Sequence, residues 1–283
     1  MAAALWNVAG ETLDLSARGM IMGVLNVTPD SFSDGGQFFE RDRAIEQGIR
    51  MAEEGAQIID VGGESTRPGS VGVSADEELA RVLPVLERLR SDTSALLSID
   101  TTKAAVAREA VSAGAAIVND VSGGRDDEAM MPFIAESGAA FIIMHMQGTP
   151  RTMQDAPHYD DVVAEIREFF RQRYACAIES GIDPMAIAFD PGIGFGKTLK
   201  HNLELLRSLP QLRVHDRPLV VGVSRKSFLA KVIGSGQLAD RLAPTVALTA
   251  LLRERGADVL RVHDVKANVS ALRVTEALRE THA

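Results

Sequence analysis

Along the chain, a short apolar run that ends in polar or glycine residues is followed, again and again, by an amphipathic stretch. The apolar runs occupy residues 20–25, 58–61, 96–99, 115–118, 139–144, 186–189, 219–223 and 259–262. Continuous apolar runs of this length suit strands buried on both faces, as in a parallel sheet. The amphipathic stretches begin near Arg41, Ala75, Lys103, Asp127, Tyr159, Lys200, Ala239 and Val265. Acids at Asp76, Glu77 and Glu78, and at Asp126, Asp127 and Glu128, fall where a helix dipole favours them. Strand and helix in alternation predict βαβ units. Spread over 283 residues, eight units take about 35 residues each, which fits an α/β protein built as a single-domain (β/α)8 TIM barrel. A doubly wound open sheet fits less well, because no Pro/Gly/Ser-rich linker divides the chain. Residues 1–17 precede the first strand and are expected to form an N-terminal cover segment, leaving 18–283 as the barrel. The polar loop 148–158 is expected to be an excursion rather than a boundary.

Composition adds exclusions. Lys and Arg number 30 against 39 Asp and Glu, a net charge of −9. An acidic surface argues against a nucleic-acid binder that works by charge neutralisation, but leaves room for a small basic pocket. The one cysteine, Cys176, sits in an apolar helical stretch and is expected to be a small buried hydrophobe. It permits no intramolecular disulfide, which fits a reducing compartment. Residues 1–10 carry no basic side chain and too short an apolar run for a signal peptide. No apolar run approaches the ~18 residues of a bilayer span. A cytoplasmic location is expected, with no membrane and no nucleic-acid partner.

Chemistry gathers where the apolar runs end. The first leads to Asn26 and the loop 28–36; the second carries Asp60 and leads to the loop 64–73, with Thr66 and Arg67. The third ends at Asp100, the fourth at Asn119 and Asp120, the fifth at His145. The sixth ends at Asp190 and a glycine-rich loop through Lys197, the seventh at Ser224, Arg225, Lys226 and Ser227, the eighth at Arg261, His263 and Asp264. The C-terminal ends of barrel strands are where catalytic side chains collect. One polar strand end means little; eight of eight is harder to ascribe to loops being polar.

Asp100, Asn119 and Asp190 would point into one mouth. Carboxylates plus an amide suit a flat, donor-rich heterocycle, since a carboxylate accepts two parallel N–H bonds. Loop capping or a divalent metal are the alternatives, the second weakened by Lys226 in the same mouth. Arg261 and His263, two residues apart, share one side of their strand. With Asn26 from the adjacent first strand they form a cationic corner suited to phosphate; pairing of Arg261 with Asp264 or Asp258 is the alternative. The two long loops have the character of lids. The glycine loop lacks the Walker spacing, because Pro191 stands where Gly is needed, and the dinucleotide spacing, because position 197 is Lys.

Eight segments together, MGVLNVTPDSFSDGG (22–36), DVGGESTRPG (60–69), SIDT (98–101), NDVSG (119–123), MHMQGTP (144–150), DPGIGFGK (190–197), SRKS (224–227) and RVHD (261–264), resemble the dihydropteroate synthase family over nearly the whole chain. The resemblance implies a (β/α)8 barrel, a homodimer and Mg²⁺ dependence. It implies a folate-biosynthesis transferase, a sulfonamide target, that joins (7,8-dihydropterin-6-yl)methyl diphosphate to 4-aminobenzoate with release of diphosphate. By motif, Asp100, Asn119, Asp190 and Lys226 match the pterin-binding set. Asn26, Arg261 and His263 match the diphosphate corner, with Asn26 toward the metal. Thr66, Arg67 and Ser227 lie near the aminobenzoate, with Phe32 and Phe195 as its apolar walls. Arg67, Lys226, Arg261 and His263 are the residues expected to take part in catalysis. A pterin-binding methyltransferase domain or a non-catalytic paralogue would have no use for the diphosphate corner or the intact lid motifs.

Overall fold

The computed structural model describes residues 4–28, 36–67 and 69–280, with no side chain described for 36–40 or 280. Phe32, and with it most of the first lid loop, lies outside the described residues. Ten strands and nine helices follow one another in the described chain. A hairpin of β1 (Leu5–Val8) and β2 (Glu11–Asp14) comes first. Eight parallel strands follow: β3 (Met20–Asn26), β4 (Ile58–Gly62), β5 (Leu96–Asp100), β6 (Ile117–Asp120), β7 (Ala140–Met144), β8 (Ile187–Asp190), β9 (Val220–Gly222) and β10 (Val259–Val262). Their spatial order is 8-7-6-5-4-3-10-9. The remaining seam, between β8 and β9, is bridged at Phe189 and Leu219, where the Phe189 amide donates 2.9 Å to the Pro218 carbonyl. The sheet therefore closes into the expected barrel.

The helices are α1 (Gly36–Glu53), α2 (Ala75–Asp92), α3 (Ala104–Ser112), α4 (Met130–Ser137), α5 (Val162–Glu179), α6 (Leu199–Arg207), α7 (Ser227–Ile233), α8 (Leu242–Glu254) and α9 (Val265–Glu280). Their starts carry recognisable caps: Ser74 accepts from the Glu77 amide and Asp161 from the Val163 and Ala164 amides. The sequence pattern misplaces some boundaries, for local reasons. The fourth strand begins at Ile117, not Ala115, because Ala115 still closes the turn that ends α3, donating 2.9 Å to the Ala110 carbonyl. Asp127 does not open α4; it stays outside the helix, accepting from the Ala129 and Ala104 amides. The first helix begins earlier than Arg41, at Gly36. A short helix, α7, was missed altogether between the seventh strand and Ala239; Gly234, in the left-handed conformation, stops it.

Strand alternation divides the apolar residues in two. One set, including Ile59, Ile99, Val118, Phe141, Phe189 and Leu260, packs outward under the helices. The other points into the barrel: Met22, Ile58, Ile117, Ala140, Ile142, Ala188, Val220 and Val259 fill its N-terminal half. Ala4, Trp6, Val8 and Leu15 join this second set and close the barrel from below. Trp6 is fully buried, and its indole N–H donates 2.9 Å to the Ala186 carbonyl at the entrance to β8. Arg253 binds the carbonyls of Leu15 and Ser16 and so ties this segment to α8.

Trp6→Ala should cost about 3–5 kcal/mol, the usual scale for deleting a buried large aromatic. Trp6→Phe keeps a ring and should cost less. Urea unfolding of the two variants checks the ranking; equal losses would show that the hairpin is not a plug.

Candidate active site

Continuing up the same inward-facing positions, apolar side chains give way to polar ones. Asp60 lies in register with Ser98, Gly62 with Asp100, Asp100 with Asn119, and Met144 with Asp190. The N-terminal half of the barrel interior is thus dry and the C-terminal half charged. Asp60, Asp100, Asn119 and Asp190 are all buried.

Arg261 enters this layer from β10 and is held by two carboxylates. Its Nε donates 2.6 Å to Asp60 Oδ2 and its Nη2 donates 2.7 Å to Asp100 Oδ2. Neither alternative partner, Asp258 or Asp264, is involved: Asp258 pairs with Arg213, and Asp264 takes a two-pronged bond from Arg225. Asn119 Nδ2 donates 3.1 Å to the same Asp60 oxygen. Burial pushes the Asp100 carboxyl above its usual range, against the pull of Arg261. Asp190 is raised by burial too, with Lys226 pulling it back; its Oδ1 accepts 2.7 Å from the Gly192 amide.

Lys226 reaches over from the end of β9. Its ammonium donates to the Ile193 carbonyl and lies 4.8 Å from the centre of the Phe195 ring. Burial brings its pKa down to about 8, opposed by Asp190. The residue before it, Arg225, holds a positive φ of 59°. That rare conformation is pinned by the bond to Asp264 and by Arg241, which donates to the Arg225 carbonyl.

His263 lies just past β10, its backbone and its Nδ1 each 3.1 Å from the Ser224 hydroxyl. Burial, helped by Arg225 and Arg261, brings its pKa down to about 3. The corner expected to be cationic therefore owes its charge to arginine, with His263 a neutral hydrogen-bonding group. Asn26 shares the space above Gly62 with Asp100: a methyl on Gly62 would lie 3.9 Å from Asn26 Oδ1 and 3.5 Å from Asp100 Cβ.

In the second lid loop, Thr66 is half-buried and Arg67 exposed. The Arg67 guanidinium has no hydrogen-bond partner among the described residues, and Glu64, three residues earlier in the same loop, pairs with Lys103. Ser227 opens α7 and is exposed.

The sequence profile of the pterin-binding enzymes matches residues 22–263. The dihydropteroate synthase of Synechocystis is 45% identical over 270 residues, 95% of this chain and 93% of that one. The chain belongs to the dihydropteroate synthase family. Among solved structures, the dihydropteroate synthase of Xanthomonas albilineans with 4-aminobenzoic acid superposes with a TM-score of 0.91 at 45% identity, covering 98% of this chain and 99% of that one. A second structure of the Xanthomonas enzyme, in complex with 7,8-dihydropteroate, gives 0.88 at 42% identity, covering 97% and 98%.

Three features of this family member escaped the motif reading. Asp60 was noted only as a strand residue, yet it joins Arg261 to Asn119. Lys197, almost fully buried, lies 3.0 Å from His145 Nδ1 and donates 2.8 Å to the Phe195 carbonyl, stitching the loops after β7 and β8 together. Burial holds this lysine well below its usual pKa. The glycines there serve that contact: a Cβ on Gly192 would fall 1.9 Å from the His145 carbonyl oxygen. Lastly, Lys103 binds Glu64 at the base of the second lid loop and, at 2.6 Å, the fully buried Glu78 of α2. An inward-pointing acid in the middle of an apolar strand was the one signal that could have exposed Asp60.

Among the described residues no cluster of three His, Cys, Asp or Glu side chains is placed to hold a metal. Mg²⁺ in phosphate chemistry needs fewer, because it rests on one or two hard oxygens, substrate phosphates and water. Asn26 Oδ1 is such an oxygen, so the residues present suit a metal that arrives with the substrate rather than a resident one.

His263 should remain neutral at pH 5 in the ligand-free protein, where an ordinary histidine is mostly charged; nitrogen NMR of the ring reads this directly. Its folded pKa is the lower one, so the unfolded chain takes the proton first. This residue's contribution to stability is therefore present above about 6.5 and lost as the pH falls toward about 3.

Proposed function

We propose that this chain catalyses the reaction for which its family is named: (7,8-dihydropterin-6-yl)methyl diphosphate and 4-aminobenzoate give 7,8-dihydropteroate and diphosphate. The observation that carries the reading is the buried mouth at the C-terminal ends of β5, β6 and β8, which gathers Asp100, Asn119 and Asp190, with Arg261 bonded to Asp100 and Lys226 reaching in from the end of β9. A pterin presents N–H donors along its pyrimidine edge, and Asp190, whose Oδ2 has no hydrogen-bond partner among the described residues, accepts from that edge. Lys226 donates to the ring's acceptors, and Asp100 and Asn119 hold the opposite side.

An electron-rich dihydropterin can expel diphosphate and leave a stabilised cation at its exocyclic methylene. Arg261, His263 and Asn26 receive the departing group at the ends of β3 and β10, where Arg261 offers the Nη1 edge that its two carboxylates leave free. Mg²⁺ bound with the diphosphate through Asn26 would neutralise negative charge on the leaving group. The aniline nitrogen then attacks the cation, losing its proton to solvent. Phe195, Thr66, Ser227 and the lid residue Phe32 surround the aminobenzoate, and closure of the lids excludes the water that would otherwise capture the cation. Arg67, whose guanidinium has no hydrogen-bond partner among the described residues, is the charge proposed to cover the reacting centre.

The working molecule is proposed to be a homodimer. Leu238, Leu242, Leu251 and Val274 leave an exposed apolar surface on α8, α9 and the segment before α8. No helix among the described residues is long and apolar enough to cross a membrane. A cytoplasmic location accords with that and with the lone cysteine. A methyltransferase reading has no use for Arg67 or for the corner at Arg261 and His263.

Diphosphate release from the pterin substrate, measured with and without 4-aminobenzoate alongside dihydropteroate formed, tests the reaction; diphosphate released with 4-aminobenzoate present but without a matching amount of dihydropteroate would refute it. Asp190→Asn should weaken binding of a pterin without phosphates by at least ~10-fold, since a charge-assisted hydrogen bond contributes ~1.5–3 kcal/mol. Titration calorimetry reads this. Arg67→Ala should leave pterin affinity within about threefold and lower product formation by ~10²-fold, the scale for losing one transition-state donor. Wild-type turnover in that variant would mean that the second loop is not a catalytic lid.

A further inference from the structure

Asp60 lies one layer below the substrate-facing groups, fully buried in the barrel. Its Oδ2 accepts two bonds, from Arg261 Nε at 2.6 Å and from Asn119 Nδ2 at 3.1 Å. Its Oδ1 is buried and has no protein partner among the described residues, and the same holds for the hydroxyl of Ser98, its neighbour in register on β5. Keeping a carboxylate there with one oxygen unsatisfied costs free energy, and burying an ion pair in place of apolar residues seldom returns a net gain in stability. Apart from the charge of Arg261, the packing gives no reason for an acid at this position, which sits above Ile58 and beside Val24.

The geometry does supply one. An amide can present either end, and only its neighbours decide which. With Nδ2 donating down to Asp60, Asn119 turns its Oδ1 up, toward the mouth. Arg261 is constrained in the same way: Nε goes to Asp60 and Nη2 to Asp100, which leaves Nη1 as the edge facing outward. A single carboxylate oxygen thus orients one residue on the pterin side and one on the diphosphate side. We propose that Asp60 is a positioning residue, which fixes the amide of Asn119 and the guanidinium of Arg261 in the one orientation that receives substrate. This rests on the reading of the mouth as a pterin site.

The test is a double-mutant cycle on binding of 6-hydroxymethylpterin, followed by calorimetry, with thermal unfolding recorded on each variant. Asn119→Ala should bind at least ~10-fold more weakly. Asp60→Ala should do nearly the same, and the double variant hardly worse than Asn119→Ala alone, because the two residues act as one. Asp60→Asn keeps an acceptor oxygen and should restore affinity to within about threefold of wild type. A purely structural Asp60 would lower the melting temperature and let the two losses multiply; that result overturns the proposal. So does Asp60→Ala binding like wild type while Asn119→Ala does not. Asn119→Ala binding like wild type would remove the pterin reading and the proposal together. Should Asp60→Ala fail to fold, a crystal complex of the wild-type protein with the same pterin decides: Nδ2 of Asn119 stays on Asp60 if the proposal holds, and a flipped amide ends it.

Discussion

A guanidinium placed inside a barrel must be surrounded by anions, and the upper half of this molecule is arranged around that requirement. Arg261 has Asp60 on one side and Asp100 on the other, and both carboxylates are themselves shut off from water. The charges cannot be separated without leaving one of them unpaired in a low-dielectric space. Four of the barrel's strands, β4, β5, β6 and β10, are therefore locked to one another through side chains as well as through the sheet. That rigidity is useful for catalysis, because groups already held in place need no reorganisation when charge develops on a substrate.

The charged layer is possible only because the layer below is sealed. Trp6, Val8 and Leu15 plug the N-terminal end, and the inward apolar residues of the strands complete a dry floor. Water reaches the site from one side alone. Burial then moves pKa values in the directions that the site can use: down for Lys226 and His263, up for Asp100 and Asp190.

The architecture was legible because eight apolar runs and the helices between them obey simple periodicities, and each run ends close to where its strand does. Boundaries were less legible wherever a side chain far along the chain decided them. Asp127 is an acid before a helix by sequence, but it spends one oxygen on the Ala104 amide of α3. Of the site, the strand-end residues were visible as motifs, and Asp60 among them, but its role was not, because that role lies in joining β6 to β10. The lowered pKa of His263 was not legible either, because its burial and the nearby Arg225 come from elsewhere in the chain. The pairing of Lys103 with Glu64 and Glu78 likewise unites three elements that no local pattern connects.

The plug has a bearing on how the chain is made. Trp6 is made well before the residues it needs: its hydrogen-bond acceptor is Ala186, and the carbonyls of Leu5 and Leu15 wait for Arg217 and Arg253. Contacts so distant along the chain form late, since the loops they close must be ordered first. A large indole therefore stays exposed until the chain has been made at least as far as Ala186. A nascent chain in that condition offers an apolar handle at the β1–β2 hairpin, which makes this the stretch that a folding chaperone would hold.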